Sequence, residues 1–144
     1  MEVKVVTSEK QLEKVFEIWH KVFVEEQNVS TKVVLDGLED QSTHFLLYKE
    51  GIEIGAGRLR VIEGVGKIER ICILPSYRKG GSGKSLIQGI EKFAIEKSIG
   101  KLKLHAQLQA LSFYERLGYA TVSDIFTEAN ILHVVMVKTL TNKS

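Results

Sequence analysis

The sequence has one cysteine and no long apolar run. Because Cys72 stands alone among 144 residues, no disulfide can form within the chain, and the paired-cysteine spacing of a structural zinc site is missing. No apolar run approaches the roughly 20 residues that cross a bilayer, and the first residues lack the positive start and apolar stretch of a signal peptide. We therefore expect a cytoplasmic protein that neither enters a membrane nor binds a metal.

The sequence also lacks a strong excess of charge of either sign. Its 20 Lys and Arg residues are interspersed with 18 Asp and Glu residues, which gives a formal net charge of +2. Nucleic-acid-binding proteins usually concentrate their basic residues, so no nucleic-acid partner is expected. The chain has the composition of a globular protein, with 44% hydrophobic and 26% charged residues, and its length predicts a single domain over residues 1–144.

The first 42 residues predict a strand, a helix and a loop. Residues 3–6 are mostly β-branched, and Ser8 with Gln11 forms the capping box that starts many helices. Apolar residues then recur at helical spacing until near Gln27. Residues 28–42 show no sustained period and predict a loop with a short helix, placed to line a pocket.

The rest of the chain alternates strand and helix patterns. Strands are predicted at 45–49, 52–62, 67–74, 102–106, 119–126 and 131–139, and helices at 84–99 and 108–117. Gly55 and Gly57 weaken the second of these strands and indicate a bulge or a close approach of another backbone. The order β1-α1-(α2)-β2-β3-β4-α3-β5-α4-β6-β7 predicts an α/β (α+β) fold with a mixed, mostly antiparallel sheet and helices against its faces.

A glycine-rich segment joins a predicted strand to a predicted helix. It comprises Arg78, Lys79, Gly80, Gly81, Ser82 and Gly83, followed by Lys84. The first N–H groups of a helix lack partners and the helix dipole favours negative charge there, so such a segment predicts a phosphate site. The simpler interpretation is a glycine-rich turn that only starts the helix.

Two kinds of phosphate ligand are compatible with this segment. The end of a Walker A loop resembles Gly83-Lys84-Ser85, but Arg78 stands where that motif needs its first glycine. The strand at 102–106 also runs into Gln107, where a nucleotide-binding protein needs an Asp for magnesium. A nucleotide-binding protein is therefore the weaker hypothesis.

The pattern Arg-x-x-Gly-x-Gly at Arg78, Gly81 and Gly83, within residues 69–83, resembles the acetyl-CoA-binding core of the GNAT N-acetyltransferases. Residues 113–119, Phe-Tyr-Glu-Arg-Leu-Gly-Tyr, resemble the second signature of that family. Further segments at 23–29, 105–107 and 133–136 resemble its ElaA-like branch. The resemblance covers most of the chain, and it implies a GNAT-like sheet of six to seven strands flanked by about four helices. It also implies that acetyl-CoA acetylates a primary amine of a small molecule or peptide by direct attack, without a metal.

The resemblance also implies where acetyl-CoA binds. The loop amides from Arg78 to Gly83, with Lys84, hold the pyrophosphate, and the pantetheine arm lies along Ile71, Cys72 and Ile73, where this strand separates from the next parallel one. A backbone N–H near Cys72 or Ile73 stabilises the oxyanion of the reaction. Gln107 stands where many family members have Asn, which leaves its contact with pantetheine open.

Proton transfer has several candidate residues. Tyr114, in the second signature, is implied to protonate the leaving thiolate. Glu69 is the leading candidate for the base that deprotonates the amine, because strand alternation places the odd-numbered residues 67–73 on one face. The alternative is a structural ion pair at Glu69. His105 and His133, on later strands, are alternative bases.

The sequence also gives expectations for the reaction route and for the place of the acceptor. A lone cysteine in an apolar strand predicts a small buried side chain, so direct transfer is favoured over an acyl-enzyme at Cys72. The acceptor pocket is expected between the end of the first helix, the following loop and the last hairpin. Acidic residues there would favour a cationic amine, unless they form only a solvated loop: Glu25, Glu26, Asp36, Glu39 and Asp40. A non-catalytic acyl-CoA-binding module is the alternative function, and an exposed sheet edge would allow a homodimer.

Overall fold

The computed structural model describes residues 1–140, whose eight strands form one sheet. The strands are β1 (Glu2–Val5), β2 (Thr43–Lys49), β3 (Ile52–Ile62), β4 (Val65–Ile73), β5 (Lys101–Gln107), β6 (Ala120–Thr121), β7 (Phe126–Glu128) and β8 (Ile131–Thr139). Their order is β1-β2-β3-β4-β5-β8-β6, and β7 pairs with β8. The β4–β5 pair is parallel and every other pair is antiparallel, which confirms the predicted fold class.

Four α-helices flank the sheet: α1 (Glu9–Trp19), α2 (Thr31–Val34), α3 (Ser82–Glu96) and α4 (Leu111–Arg116). The predicted capping box starts α1, because Ser8 Oγ accepts from the Gln11 N–H and the Gln11 side chain accepts from the Ser8 N–H, both at 3.2 Å. Short 3₁₀ turns cover Glu39–Gln41, Pro75–Tyr77 and Leu108–Ala110. No helix within residues 1–140 combines the length and apolar composition needed to cross a membrane.

Two elements differ from the sequence prediction in detail. The helix predicted to reach Gln27 changes its winding after Trp19 and continues as a π-helix over His20–Glu26. The strand predicted at 119–126 is split into β6 and β7, which raises the number of strands to eight. At this break the Ser123 hydroxyl accepts a hydrogen bond of 2.8 Å from the Val135 N–H, so a side chain takes the place of a strand carbonyl.

Each face of the sheet carries its own apolar core. On one face α3 packs through Leu86, Ile87 and Ile90, and on the other face α1 and its π-helical extension pack through Val15, Ile18, Trp19 and Val22. These side chains are at most 4% exposed. The two cores hold the sheet between α1 and α3, so strands β2, β3 and β4 are covered on both sides.

A β-bulge at Arg70 interrupts the pairing of β3 with β4. The register passes from Ala56 opposite Cys72 to Arg58 opposite Glu69, which leaves one extra residue on β4. Arg70 has a left-handed φ of 58°, a conformation that non-glycine residues rarely adopt. A Cβ on Gly57, opposite the bulge, would lie 2.6 Å from Ile71 Cδ1, and a Cβ on Gly55 would lie 2.9 Å from the Cys72 carbonyl oxygen. The bulge and the close backbone approach expected at these two glycines are both confirmed.

The bulge reverses the alternation of side chains along β4. Before it, Glu69 contacts Arg58, whose guanidinium lies 5.7 Å from the Trp19 ring on the α1 face. After it, Ile71 and Ile73 pack into the core beneath α3. The prediction that the odd-numbered residues 67–73 share one face is therefore wrong, because an inserted residue shifts a period-two pattern by one position.

The parallel pair of β4 and β5 is short. Its partners are Gly66 with Leu102, Lys67 with Lys103, and Ile68 with Leu104, and no later residue of β4 pairs with β5. The bulge lies two residues beyond the last pair, and a bulge bends its strand. The strands therefore separate toward their carboxyl ends, as the family resemblance implies.

Candidate functional site

A pocket of about 450 Å³ opens where β4 and β5 separate. Five parts of the chain line it. They are β4 (Glu69–Ile71), β5 (Leu104–Gln107), the end of the π-helix (Phe23, Gln27), the region of α2 (Val33, Val34, Asp36) and the last hairpin (Glu128, Ala129, Ile131, His133), with Tyr114 beside them. The three segments expected to surround the acceptor, the end of the first helix, the following loop and the last hairpin, thus line one cavity. The structure brings the candidates Glu69, Tyr114, His105 and His133 together around it.

The glycine loop forms an open, uncapped helix start. Gly80 and Gly81 have φ of 82°, and a Cβ at either position would meet no atom within 4 Å, so backbone conformation rather than crowding favours glycine there. Helix α3 begins after Gly81 without a side-chain cap. Ser82 is fully buried and its hydroxyl donates to the Tyr77 carbonyl at 2.6 Å, so this side chain holds the loop together and does not cap the helix. This arrangement suits an anion.

Arg78 fixes the start of the loop to two other segments. Its Nε donates to the Ile73 carbonyl at 2.9 Å, and its two Nη atoms bind the Glu26 carboxylate at 2.7 and 2.5 Å. These hydrogen bonds raise the pKa of Arg78 and lower that of Glu26. The exposed Lys79 and Lys84 make no ion pair with any of residues 1–140, so they supply the free positive charge beside the loop.

At the end of β4, the backbone and not the Cys72 thiol faces the opening between β4 and β5. The Leu74 N–H donates to Ile54 of β3 at 2.8 Å, so by strand alternation the Ile73 N–H faces the side from which β5 has departed. Cys72 is 4% exposed, its Sγ donates to the Ala56 carbonyl at 3.6 Å, and burial raises its pKa to about 12. The expectation of a small buried side chain at Cys72 is confirmed.

Tyr114 is a buried phenol at the pocket wall. It is 8% exposed and packs edge-on against Phe113 and Tyr119, with ring centroids 4.9 and 5.8 Å away. Burial raises the pKa of Tyr114, so the phenol stays protonated near neutral pH. It is therefore a hydrogen-bond donor and not a base at this site.

Glu69 lies within an ion-pair network. Its Oε1 accepts from Arg58 Nε at 3.0 Å and from Arg60 Nε at 3.1 Å, and its Oε2 lies 3.0 Å from Lys67 Nζ. Burial alone would raise the pKa of Glu69, but the hydrogen bond from Arg60 and the charges of Arg58 and Lys67 outweigh it and hold that pKa at about 2. A carboxylate with so low a pKa is a weak base, so this geometry favours the structural alternative for Glu69.

Each candidate histidine has one ring nitrogen fixed by an acceptor. His105 Nδ1 lies 2.9 Å from a carboxylate oxygen of Glu128, and His133 Nδ1 lies 2.7 Å from the Ile131 carbonyl. Since carboxylates and carbonyls only accept, these contacts assign the proton to Nδ1 and leave each Nε2 as the basic nitrogen. Phe126 contacts both imidazoles, with ring centroids 5.2 and 5.9 Å away. Of the two, His105 is the one whose ring contacts a carboxylate within residues 1–140.

Gln107 links β5 to the π-helix. Its Nε2 donates to Gln27 Oε1 at 3.1 Å, and its own Oε1 accepts from the Gln109 side chain. Both Gln27 and Gln107 line the pocket. The residue in place of the more common Asn thus holds together two walls of the cavity.

The acidic surface expected at the acceptor side is largely neutralised. Asp36 binds Arg58 with both oxygens, at 3.1 and 2.6 Å, and Glu39 lies 3.6 Å from the same guanidinium. Glu26 is bound by Arg78. The sequence prediction did not include the two arginines, Arg58 of β3 and Arg78 of the glycine loop, that pair with three of the five acidic residues.

The structure adds three residues that the sequence prediction missed. Arg58 is fully buried beneath the pocket, Arg70 donates to the Val33 carbonyl and the Asp36 carboxylate at 3.0 and 3.3 Å, and Glu128 holds His105. A charged residue within the apolar run of β3 is the one sequence signal that could have indicated Arg58. The position of Arg70 depends on the bulge in β4, and that of Glu128 depends on the pairing of β7 with β8. Neither the position of the bulge nor this pairing can be recognised in the sequence.

Comparisons with known proteins agree with this architecture. The sequence model of the acetyltransferase (GNAT) domain matches residues 5–140. Two Bacillus subtilis proteins align over almost the whole chain. The uncharacterised protein YyaT is 43% identical and covers 96% of this chain and 95% of its own. The uncharacterised N-acetyltransferase YjcF is 39% identical and covers 96% of this chain and 99% of its own.

A solved structure extends the likeness to the fold. The crystal structure of Escherichia coli ElaA superposes with a TM-score of 0.84 at 22% identity, over 96% of this chain and 99% of that chain. At this identity the comparison concerns the fold alone. The overall fold is thus shared with ElaA.

Proposed function

Because the chain belongs to the GNAT family of N-acetyltransferases, we propose that it transfers the acetyl group of acetyl-CoA to a primary amine of a small molecule or peptide. The observation that supports this most is the separation of β4 from β5. It joins an uncapped helix start, at the glycine loop, to a pocket of about 450 Å³ that contains a protonated phenol and two histidines. An anion site at one end and proton-transfer groups at the other suit a donor with a pyrophosphate and a thioester.

The residues present fit acetyl-CoA. The N–H groups from Gly81 to Lys84 would bind the pyrophosphate, helped by Lys79, and the free edge of β4 would bind the pantetheine arm. Arg78 would act mainly by holding the Ile73 carbonyl and Glu26, because its guanidinium is already engaged. A GNAT family acetyltransferase from Elizabethkingia anophelis, solved with acetyl-CoA bound, has the same fold with a TM-score of 0.77.

The backbone of β4 would stabilise the tetrahedral intermediate. The Ile73 N–H faces away from β3, and by alternation so does that of Ile71. When bound, acetyl-CoA supplies an activated carbonyl whose oxygen becomes negative as the amine attacks. A fixed N–H donor at this edge lowers the barrier because it is already oriented toward the developing charge.

His105 would remove the proton of the amine. An alkylamine has a pKa of about 10.4 and must lose a proton before it attacks. The basic Nε2 of His105 can accept it, while Glu128 stabilises the imidazolium that forms. Glu69 would instead hold Arg58, Arg60 and Lys67 in place, since its carboxylate is fully engaged with them.

Tyr114 would donate its proton, or a strong hydrogen bond, to the thiolate as the carbon–sulfur bond breaks. The amide product then forms and free CoA leaves. This direct route requires no acyl-enzyme, in accord with the buried thiol of Cys72.

The proposal is tested by incubating the protein with acetyl-CoA and a panel of primary amines. We expect amine-dependent release of free thiol and an acetylated amine in the mass spectrum. A non-catalytic acyl-CoA-binding module would bind acetyl-CoA in a calorimeter but release no thiol with any amine. Failure to bind acetyl-CoA at all would contradict both functions.

A further inference from the structure

A row of three cations crosses the central strands on the face toward α1. Arg60 of β3 is the register partner of Lys67 of β4, and Lys67 is the register partner of Lys103 of β5. Register partners on neighbouring strands project to the same face, so the three side chains lie side by side. Like charges in such positions destabilise a sheet, which makes this row costly without a compensating anion.

Within residues 1–140, the ion pairs of this row are made by one carboxylate, that of Glu69. Glu69 binds Arg60 and Lys67, but it also binds the fully buried Arg58. The side chains of Arg60 and Lys67 are each only 19% exposed, and Lys103 is half-buried and makes no ion pair with any residue from 1 to 140. Partly buried cations without a full set of counter-charges are unfavourable, so a further anion would stabilise them.

Arg60 and Lys67 of this row open into the acceptor side of the pocket, and Lys103 lies beside Lys67 on the next strand. Arg60, Lys67 and Arg70 all line the cavity. Arg70 shares its carboxylate partner, Asp36, with Arg58. Burial and the charge of Arg58 lower the pKa of Arg70. One carboxylate thus serves two arginines beside the row.

We propose that the acceptor carries an anionic group, a carboxylate or a phosphate, in addition to its amine, and that Arg60, Lys67 and Lys103 bind this group. This inference rests on the proposed acetyl transfer. His105 lies two residues beyond Lys103 along β5, or about 7 Å at roughly 3.3 Å per residue. The amine therefore reaches the base at one end of the pocket while the anion is held at the other. The row of cations thus selects acceptors by charge and length.

Matched amines test this selection. The pair 6-aminohexanoate and hexylamine tests a carboxylate, and the pair phosphoethanolamine and ethanolamine tests a phosphate. We expect kcat/KM to be at least about 10-fold higher for the anionic member of one pair, in line with charge-assisted hydrogen bonds. In Arg60→Gln/Lys67→Gln this preference should fall to about 1, mainly through KM. Equal or better use of the uncharged members by the wild type would overturn the inference and leave acetyl transfer standing.

Two further variants are controls, one for misfolding of the double variant and one for a general effect of charge. Lys103→Gln removes a cation that has no partner in the Glu69 network, so it should fold normally and still reduce the preference several-fold. Lys92→Gln removes an exposed lysine of α3 and should leave the preference unchanged. An equal loss in both variants would show a long-range charge effect and contradict a built site.

A binding experiment gives an answer that does not depend on turnover. Inorganic phosphate is titrated by calorimetry into the protein saturated with CoA, so that the glycine loop is already occupied. We expect saturable binding that weakens at least about 10-fold in Arg60→Gln/Lys67→Gln. Absence of saturable phosphate binding in the wild type, together with no preference for anionic amines, rejects the anion site. Failure of CoA to bind in the first step instead rejects the proposed function.

Discussion

Ile68 and Leu104 are the last residues at which β4 and β5 pair, and the left-handed residue Arg70 follows two positions later. The pocket begins at this point, with Glu69–Ile71 on one side and Leu104–Gln107 on the other. The backbone that the bulge frees from pairing therefore lies between the glycine loop and the acceptor side.

Replacement of Tyr114 by Phe should lower kcat by about 100-fold, because the leaving thiolate loses its hydrogen-bond donor. Binding of acetyl-CoA should stay within about 3-fold, since the ring and its packing are retained. Thiol release and calorimetry measure the two effects. Tyr48→Phe, on β2 and outside the pocket, is the matched control and should behave as the wild type. A Tyr114→Phe variant with unchanged kcat would remove this residue from the mechanism.

His105→Asn should reduce kcat/KM by about 100-fold, and it should abolish the rise of activity with pH that reports deprotonation of a base. Glu128→Gln should cause a smaller loss, because the imidazolium loses its carboxylate partner. His133→Asn serves as the comparison, since it changes the other pocket histidine. If His105→Asn retains the wild-type pH profile while His133→Asn loses it, His133 and not His105 is the base.

Glu69→Gln should act mainly on stability. The pKa of Glu69 lies at about 2, below its ordinary value of 4.5, so the carboxylate stabilises the fold above pH 4.5 and loses this effect as the pH falls toward 2. The difference corresponds to about 3 kcal/mol at pH 7. Urea unfolding at several pH values should therefore show a large gap between wild type and variant at pH 7. That gap should shrink steadily between pH 4.5 and 2.

A gap that stays constant down to pH 2 would contradict the assigned ion pairs. A second outcome would contradict the structural role itself. If folded Glu69→Gln protein binds acetyl-CoA normally but loses turnover as completely as His105→Asn, Glu69 is a base after all.

Local patterns in the sequence predicted the elements well. The predicted bounds of β3 and β8 agree with the observed Ile52–Ile62 and Ile131–Thr139, because both are mostly apolar runs that begin directly after turn residues. The capping box at Ser8 and the uncapped loop before α3 were also predicted, since a helix start depends on a few adjacent residues. Tyr114 was also identified from a short run of adjacent residues, the family signature at residues 113–119, and the structure places it at the pocket wall.

Features that arise between strands could not be predicted in this way. The bulge at Arg70 has no glycine of its own, and only Gly57 on the neighbouring strand indicated it. The partners of Glu69 come from β3 and from an earlier position of β4, and Asp36 reaches Arg58 from a loop 22 residues away in sequence. Charge counted along one segment therefore missed the cations that pair with these carboxylates.

A comparison of Gly81→Ala with Gly64→Ala should distinguish the cost of a strained backbone from the loss of a binding site for acetyl-CoA. Gly81 and Gly64 have nearly the same left-handed φ, 82° and 81°, and at neither glycine would an added methyl group meet an atom within 4 Å. Alanine should therefore cost each variant a similar stability, about 1 kcal/mol. Only Gly81→Ala should weaken acetyl-CoA binding, by about 10-fold or more, because Gly64 lies in the remote turn between β3 and β4. Equal affinities in the two variants would show that the loop does not bind the donor.

The central claim is that the glycine loop and the opening between β4 and β5 bind acetyl-CoA. The most direct measurement is a calorimetric titration of the wild-type protein with acetyl-CoA and, separately, with ATP and magnesium. We predict saturable binding of one acetyl-CoA per chain and no binding of ATP. Magnesium-dependent binding of ATP without binding of acetyl-CoA would contradict the claim.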